Sequence, residues 1–190
     1  MSHEQHRLAA LARQYREHDK QFAHWAQGYG VIQHQDDTQV RIFRLACDLE
    51  ETGKIADKTA VFQALAAADR LANAGMWLVV HMTYARNVYL DGRPLSAGDF
   101  KDDPQGHTGG SLNMVPAYIG YLTADALSGV TRSWLMGQGH CVAAVDACNL
   151  LVDNMESAHA DRYAWSDEGL SRLTRDFYAY GLGPDGLPAS

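Results

Sequence analysis

The sequence predicts a helix-rich α/β fold, and three observations carry that expectation. Most of the chain has apolar residues at helical spacing between recognisable caps and stops. A short apolar run, Thr131 to Met136, is bounded by glycines and reads as a buried parallel strand. That run passes through Gly137-Gln138-Gly139-His140 directly into another helical pattern, the strand–glycine loop–helix order of α/β proteins.

The elements follow in order. Ser2-His3-Glu4-Gln5 fits a capping box, and no proline or glycine occurs before Gly28, so one long polar helix is expected there as a surface arm or subunit contact. Asp36-Asp37-Thr38 caps a second helix, with Val40, Phe43 and Cys47 on one side and Gly53 as its stop. Asp57 to Ala74 is a third, ended by Gly75. Met76 to Leu90 suits a buried helix, with Trp77, Val80, Tyr84 and Val88 at helical spacing, although its β-branched content would also fit a strand. A loop with Gly92, Pro94, Gly98 and Pro104 follows. Ser111 caps a helix to Leu127 whose Leu112, Val115, Ile119, Leu122 and Ala126 face a core, with Pro116 in its first turns. After the strand, a helix runs from Cys141 to about Met155, and Ser166 caps a last one that Gly181 ends. Residues 1–56 are expected as an N-terminal helical arm and residues 57–190 as the domain proper.

Composition bounds the function. The chain has 190 residues, 46% of them apolar, enough for a real core. A net charge of −7 gives no electrostatic support to a nucleic-acid partner. No run of about 18 apolar residues suggests a membrane span, and the charged N-terminus has no signal-peptide core, so a cytoplasmic protein is expected. Cys47, Cys141 and Cys148 read as reduced core thiols. His3 and His6 lack a third ligand and read as a solvated helix end. His81 reads as a hydrogen-bonded core histidine, Asp146 as solvent-facing, and the aromatic set Trp77, Tyr84, Tyr118 and Tyr121 as core packing.

Two loops carry the candidate chemistry. Gly106-His107-Thr108-Gly109-Gly110 opens one helix, and Gly137-Gln138-Gly139-His140 opens another. A glycine-flanked helix start exposes backbone N–H groups at the positive end of the helix dipole, where phosphate groups bind well. Glycine lets that backbone approach a ligand, and histidine there donates a hydrogen bond or moves a proton near neutral pH. Neither loop fits a nucleotide signature. Arg132, just before the second loop, suits a substrate phosphate, although a surface ion pair is the commoner role for such a residue.

These residues carry a resemblance. Gly106-His107-Thr108-Gly109 resembles the first G-H-x-G loop of the thiamine diphosphate-dependent phosphoketolase and transketolase group. "TRSWLMGQGH" (Thr131 to His140) resembles the strand that ends in their second histidine loop, and "YARNVYLDGRPL" (Tyr84 to Leu95) resembles a phosphoketolase segment upstream of the first. The resemblance spans roughly residues 70–155. It implies a partial thiamine diphosphate-binding fold, with His107 and His140 as catalytic residues. Gly106, His107, Gly109, Gly139 and His140 would line the cofactor, and Arg132 and Gln138 the substrate. It further implies thiamine diphosphate and Mg²⁺ as cofactors, a ketose phosphate (xylulose 5-phosphate or fructose 6-phosphate) as the small-molecule substrate, carbon–carbon bond cleavage by an aldehyde-lyase, and a homodimer or higher homo-oligomer.

The chain departs from the pattern at Thr108, where phosphoketolases carry tryptophan, and at Cys141-Val142, where they carry a glycine pair. No Gly-Asp-Gly metal motif occurs, and Gly183-Pro184-Asp185-Gly186 imitates it poorly, so an inactive N-terminal piece of a longer enzyme is expected. Two other readings stand beside this one: a sugar-phosphate epimerase or transketolase-like relative, and a non-catalytic helical accessory module.

Overall fold

Every regular element among the described residues, 2–179 of the computed structural model, is helical. The helix-rich part of the expectation holds, and the α/β part is corrected. Thr131–Met136 is extended, but it joins no strand ladder, and Leu135 near its end is 92% exposed. The bridges among the described residues are isolated ones, Tyr29 with Ile32 and Ala85 with Phe100. An apolar run between glycines fixes a local extended conformation; only a partner strand makes it a strand, and none among the described residues pairs with it. The strand–loop–helix unit implied by the thiamine-binding resemblance is therefore present only as loop and helix.

By internal contacts the chain forms two units, Met1–Asn73 and Ala74–Ser190. The sequence places a boundary at 56/57; the contacts place one between 73 and 74, inside a helix. Helices α1 (His3–His18), α2 (Lys20–Ala26) and α3 (Asp36–Glu51) belong to the first unit, and α4 (Lys58–Tyr84) begins in it. Ser2 caps α1 in a full capping box, as its spacing predicts. The expected single helix to Gly28 is instead broken at Asp19, whose extended backbone ends α1 while its carboxylate accepts from the N–H groups of Gln21 and Phe22. Aspartate competes for backbone donors and so favours caps over helix interiors. Phe22, Trp25, Ala46 and Phe62 form the core of this unit, with Tyr15 stacked on Phe43 at 4.0 Å.

The second unit contains the end of α4, then α5 (Thr108–Ser128), α6 (Val142–Leu151), α7 (Ser157–Arg162) and α8 (Asp167–Asp176). Gly75 does not end a helix. It is buried within α4, where an added Cβ would lie 2.9 Å from Val115 and 3.5 Å from Cys148 Sγ. Its small size lets α4 approach α5 and α6. The helix expected over 76–90 stops at Tyr84. Of its expected stripe Val88, beyond the helix end, is buried, whereas Trp77, Val80 and Tyr84 are exposed and Leu78, Val79 and Met82 are buried instead. Tyr118 is buried as expected, with Tyr121 and Trp134 ringed around it at 6.1 and 4.6 Å.

Helix α5 starts at Thr108, earlier than the Ser111 cap predicts, so Pro116 lies in its interior and Ser111 is buried in it. Helix α6 ends at Leu151, short of Met155. Ser166 caps α8 as its position predicts, accepting from Gly169 N–H at 3.0 Å; Gly181 and the 183–186 segment lie outside the described residues. The loop after α4 is tied to α8, with Val88 N–H donating to Ser171 Oγ and Thr174 Oγ1 donating to the Arg86 carbonyl. Inside that loop Asp99 accepts from Ser96, Asn87 and Tyr89, which holds its carboxyl well below the usual range. No helix among the described residues is long and apolar enough to cross a membrane.

Candidate functional site

The two histidine loops, separate in sequence, meet in space. His107 and His140 have ring centroids 4.4 Å apart, with their planes inclined by 58°. Both residues are exposed, so the imidazoles pair at the surface without being enclosed. Each stands at a helix start. His107 is the N-cap of α5, and His140 lies in a short 3-10 turn, Gly139–Cys141, that leads into α6.

The tautomer of His107 follows from its cap. Gly110 N–H donates to its Nδ1 at 3.0 Å, so Nδ1 is unprotonated, and in the neutral ring the proton sits on Nε2. Neutral His107 is thereby set to donate from Nε2. The next two N–H groups, of Thr108 and Gly109, make no hydrogen bond among the described residues, as expected of the first positions of a helix. Thr108 donates its hydroxyl to Tyr84 Oη at 3.3 Å.

The glycines divide by role. Gly106 has φ 123°, and a Cβ there would meet the Phe177 ring at 3.1 Å, so both conformation and space require glycine. A Cβ on Gly110 would lie 2.6 Å from His107 Nδ1 and 2.9 Å from Cys141 Sγ; this glycine is what allows the cap hydrogen bond. Gly109 and Gly139 face open space, with nothing within 4 Å of an added Cβ. Cys141, which the sequence marks as a core thiol, is buried against this histidine cap.

The remaining expected site residues are placed differently. Arg132 is paired with Asp125 at 2.6 Å, donates to Ser128 Oγ and the Val130 carbonyl, and its own carbonyl accepts from Tyr121. It is engaged by α5 and its following turn. Gln138 is exposed; its carbonyl accepts from Cys141 N–H at 3.0 Å, and its side chain caps nothing. His81 is half-buried with Nδ1 on the Trp77 carbonyl at 2.9 Å, and burial pushes its pKa down. Asp146 does not face solvent freely: burial in α6 pushes its carboxyl up to about 6, with His159 acting weakly the other way.

A feature with no signature in the sequence lies beside the first loop. A cavity of about 430 Å³ is walled by Arg86, Lys101, Asp102, Asp103, Gln105, Arg175 and the Phe177–Ala179 stretch. It borders the histidine loop through Gln105 and through Phe177, on which Gly106 closes. Its cations come from three distant segments, so no local motif announces it. As for metal, no group of three or more His, Cys, Asp or Glu side chains among the described residues could hold an ion. No family model, curated protein or solved structure matches this chain.

Proposed function

We propose that this chain handles a ketose phosphate of the xylulose 5-phosphate or fructose 6-phosphate class, with His107 and His140 as its acid–base pair. The reading follows the phosphoketolase-like resemblance of the two loops. The observation that carries it is the 4.4 Å approach of two imidazoles from loops that are distant in the sequence. Imidazole gains and loses protons near neutral pH, and a pair in contact can supply one group as donor while the other accepts. His107 Nε2–H suits a sugar carbonyl oxygen, which gains negative charge when the adjacent bond is broken or the adjacent proton is removed. Open space over Gly109 and Gly139 leaves room for a ligand at both helix starts.

The metal part of the resemblance fits less well. The described residues offer no donor set for Mg²⁺, so the diphosphate of a thiamine cofactor finds no metal anchor among them. The chemistry assigned to this chain is that of its imidazoles alone. Exposed Leu127, Val130 and Leu135 lie close in sequence beside the second loop and support an assembly with further polypeptide, the homo-oligomer implied by the resemblance being one form.

The test is consumption of xylulose 5-phosphate by the full-length protein, with thiamine diphosphate, Mg²⁺ and phosphate supplied. His107→Ala and His140→Ala should each lower turnover by about 10²-fold, as loss of an acid–base group commonly does. Acetyl phosphate as product identifies phosphoketolase chemistry, and its absence with continued sugar consumption identifies an epimerase or ketol-transfer relative. Full activity in both variants would overturn the catalytic reading.

A further inference from the structure

The cavity beside the first histidine loop has an electrostatic imbalance that its own residues do not correct. Lys101 is half-buried, and its ammonium donates to two backbone carbonyls, Met82 at 2.8 Å and Phe177 at 3.2 Å. An ammonium has three N–H donors, and no carboxylate pairs with this one among the described residues. Burial without a counter-ion disfavours the charged form, and its pKa is pushed down accordingly. A buried cation of this kind is costly unless something anionic joins it.

Two guanidiniums share the wall. Arg175 donates Nε to the Ser171 carbonyl at 3.0 Å and reaches Glu168 only at 3.6 Å. Arg86 donates Nε to the Phe100 carbonyl at 2.9 Å and pairs through Nη2 with Asp102. The Asp102 side chain is 92% exposed, so this pair is of the surface type and contributes little to stability. A carboxylate resting on a guanidinium at the rim of a cavity occupies the position that an oxyanion ligand would take. The volume, about 430 Å³, lies in the range of small-molecule sites. Three cations against two carboxylates, Asp102 and Asp103, leave the lining with a net positive charge in a chain whose net charge is −7.

We infer that this cavity binds the phosphoryl group of a small phosphate monoester, whose oxygens displace Asp102 from Arg86 and give Lys101 the counter-ion it lacks. Arg175 closes the third side. Asp103 also lines the cavity, and its negative charge disfavours a second anionic group, so a monophosphate fits better than a diphosphate. The site is separate from the imidazole pair and stands or fails independently of it.

The probes are inorganic phosphate and sulfate, titrated into the full chain by calorimetry at constant ionic strength. The expected result is saturable binding of inorganic phosphate, one per chain, with sulfate at least tenfold weaker. Arg175→Gln should weaken phosphate binding tenfold or more, and Lys101→Met at least as much. Asp102→Asn should tighten it several-fold, because the competing carboxylate is gone. Lys101→Met also loses two backbone contacts, so the deciding variants are Arg175→Gln and Asp102→Asn, whose side chains are more exposed. Phosphate binding should persist in His107→Ala, which separates failure here from failure of the histidine reading. Equal binding of sulfate and phosphate, no saturable binding, or affinities unchanged in both Arg175→Gln and Asp102→Asn would overturn the assignment.

Discussion

Asp146→Asn should stabilise the protein above pH 6 and leave its stability nearly unchanged at pH 4. Asp146 lies in α6, two turns after the second histidine loop, and makes no hydrogen bond among the described residues. Burial raises its carboxyl from the ordinary 3.8 to about 6. The native state therefore holds a proton that the unfolded chain releases more readily. Below about pH 3.8 both states are protonated and the residue costs nothing. Between 3.8 and 6 the penalty on the native state grows, and above 6 it is constant. At about 1.36 kcal/mol per pH unit the full penalty is about 3 kcal/mol. The side chain is only partly buried, and solvent screening reduces the expected effect to about 1–2 kcal/mol. Asparagine resembles the protonated acid in shape and charge, so the variant should avoid this penalty. Urea unfolding followed by circular dichroism, at unit steps from pH 4 to pH 8, gives the comparison. A variant advantage that is the same at pH 4 and pH 8, or a wild type more stable at pH 8, would refute the reasoning.

Other consequences follow from packing and thiol environment. Gly75→Val should destabilise the chain by about 2 kcal/mol or more in urea unfolding, because its first carbon already lies 2.9 Å from Val115 in a closely packed site. The Cys148 thiol, pushed up to about 12 by burial, should resist iodoacetamide at pH 8 in the native state and react readily in denaturant. Rapid native-state alkylation at Cys148 would mean that α6 opens far more often than its packing allows.

The caps and the core are legible in the sequence to different degrees. Ser2 and Ser166 each accept from the third N–H of their helix, a local pattern that sequence shows well. The break at Asp19 escapes sequence reading because helical periodicity continues through it; only the competition of its carboxylate for Gln21 and Phe22 ends the helix. Gly75 misleads because glycine carries both a stop signal and a close-packing signal, and α5 and α6, which decide between them, lie far along the chain. The same limit applies to Thr131–Met136, where an extended segment is locally encoded and its partner is not. Trp77, Val80 and Tyr84 share helical spacing with a buried stripe, but the aliphatic Leu78, Val79 and Met82 turn inward instead.

For the site, the sequence singles out His107 and His140 as loop residues at helix starts, and the structure sets them side by side. That Gly110 and Cys141 shape the histidine cap is a contact between two loops, which no local pattern encodes. Arg132 stands out only by its proximity in sequence, and Asp125 pairs with it instead. The cavity cations Arg86, Lys101 and Arg175 have no signature because each, taken alone, resembles an ordinary surface charge.

The most direct measurement follows the imidazoles themselves. Histidine ring signals of the labelled chain, assigned with His107→Ala and His140→Ala, are recorded by NMR while xylulose 5-phosphate is added. Of the nine histidines, His107 and His140 should shift together and yield one dissociation constant, and inorganic phosphate alone should leave both in place. Two different constants, movement of only one ring, or no movement of either would contradict a shared acid–base site.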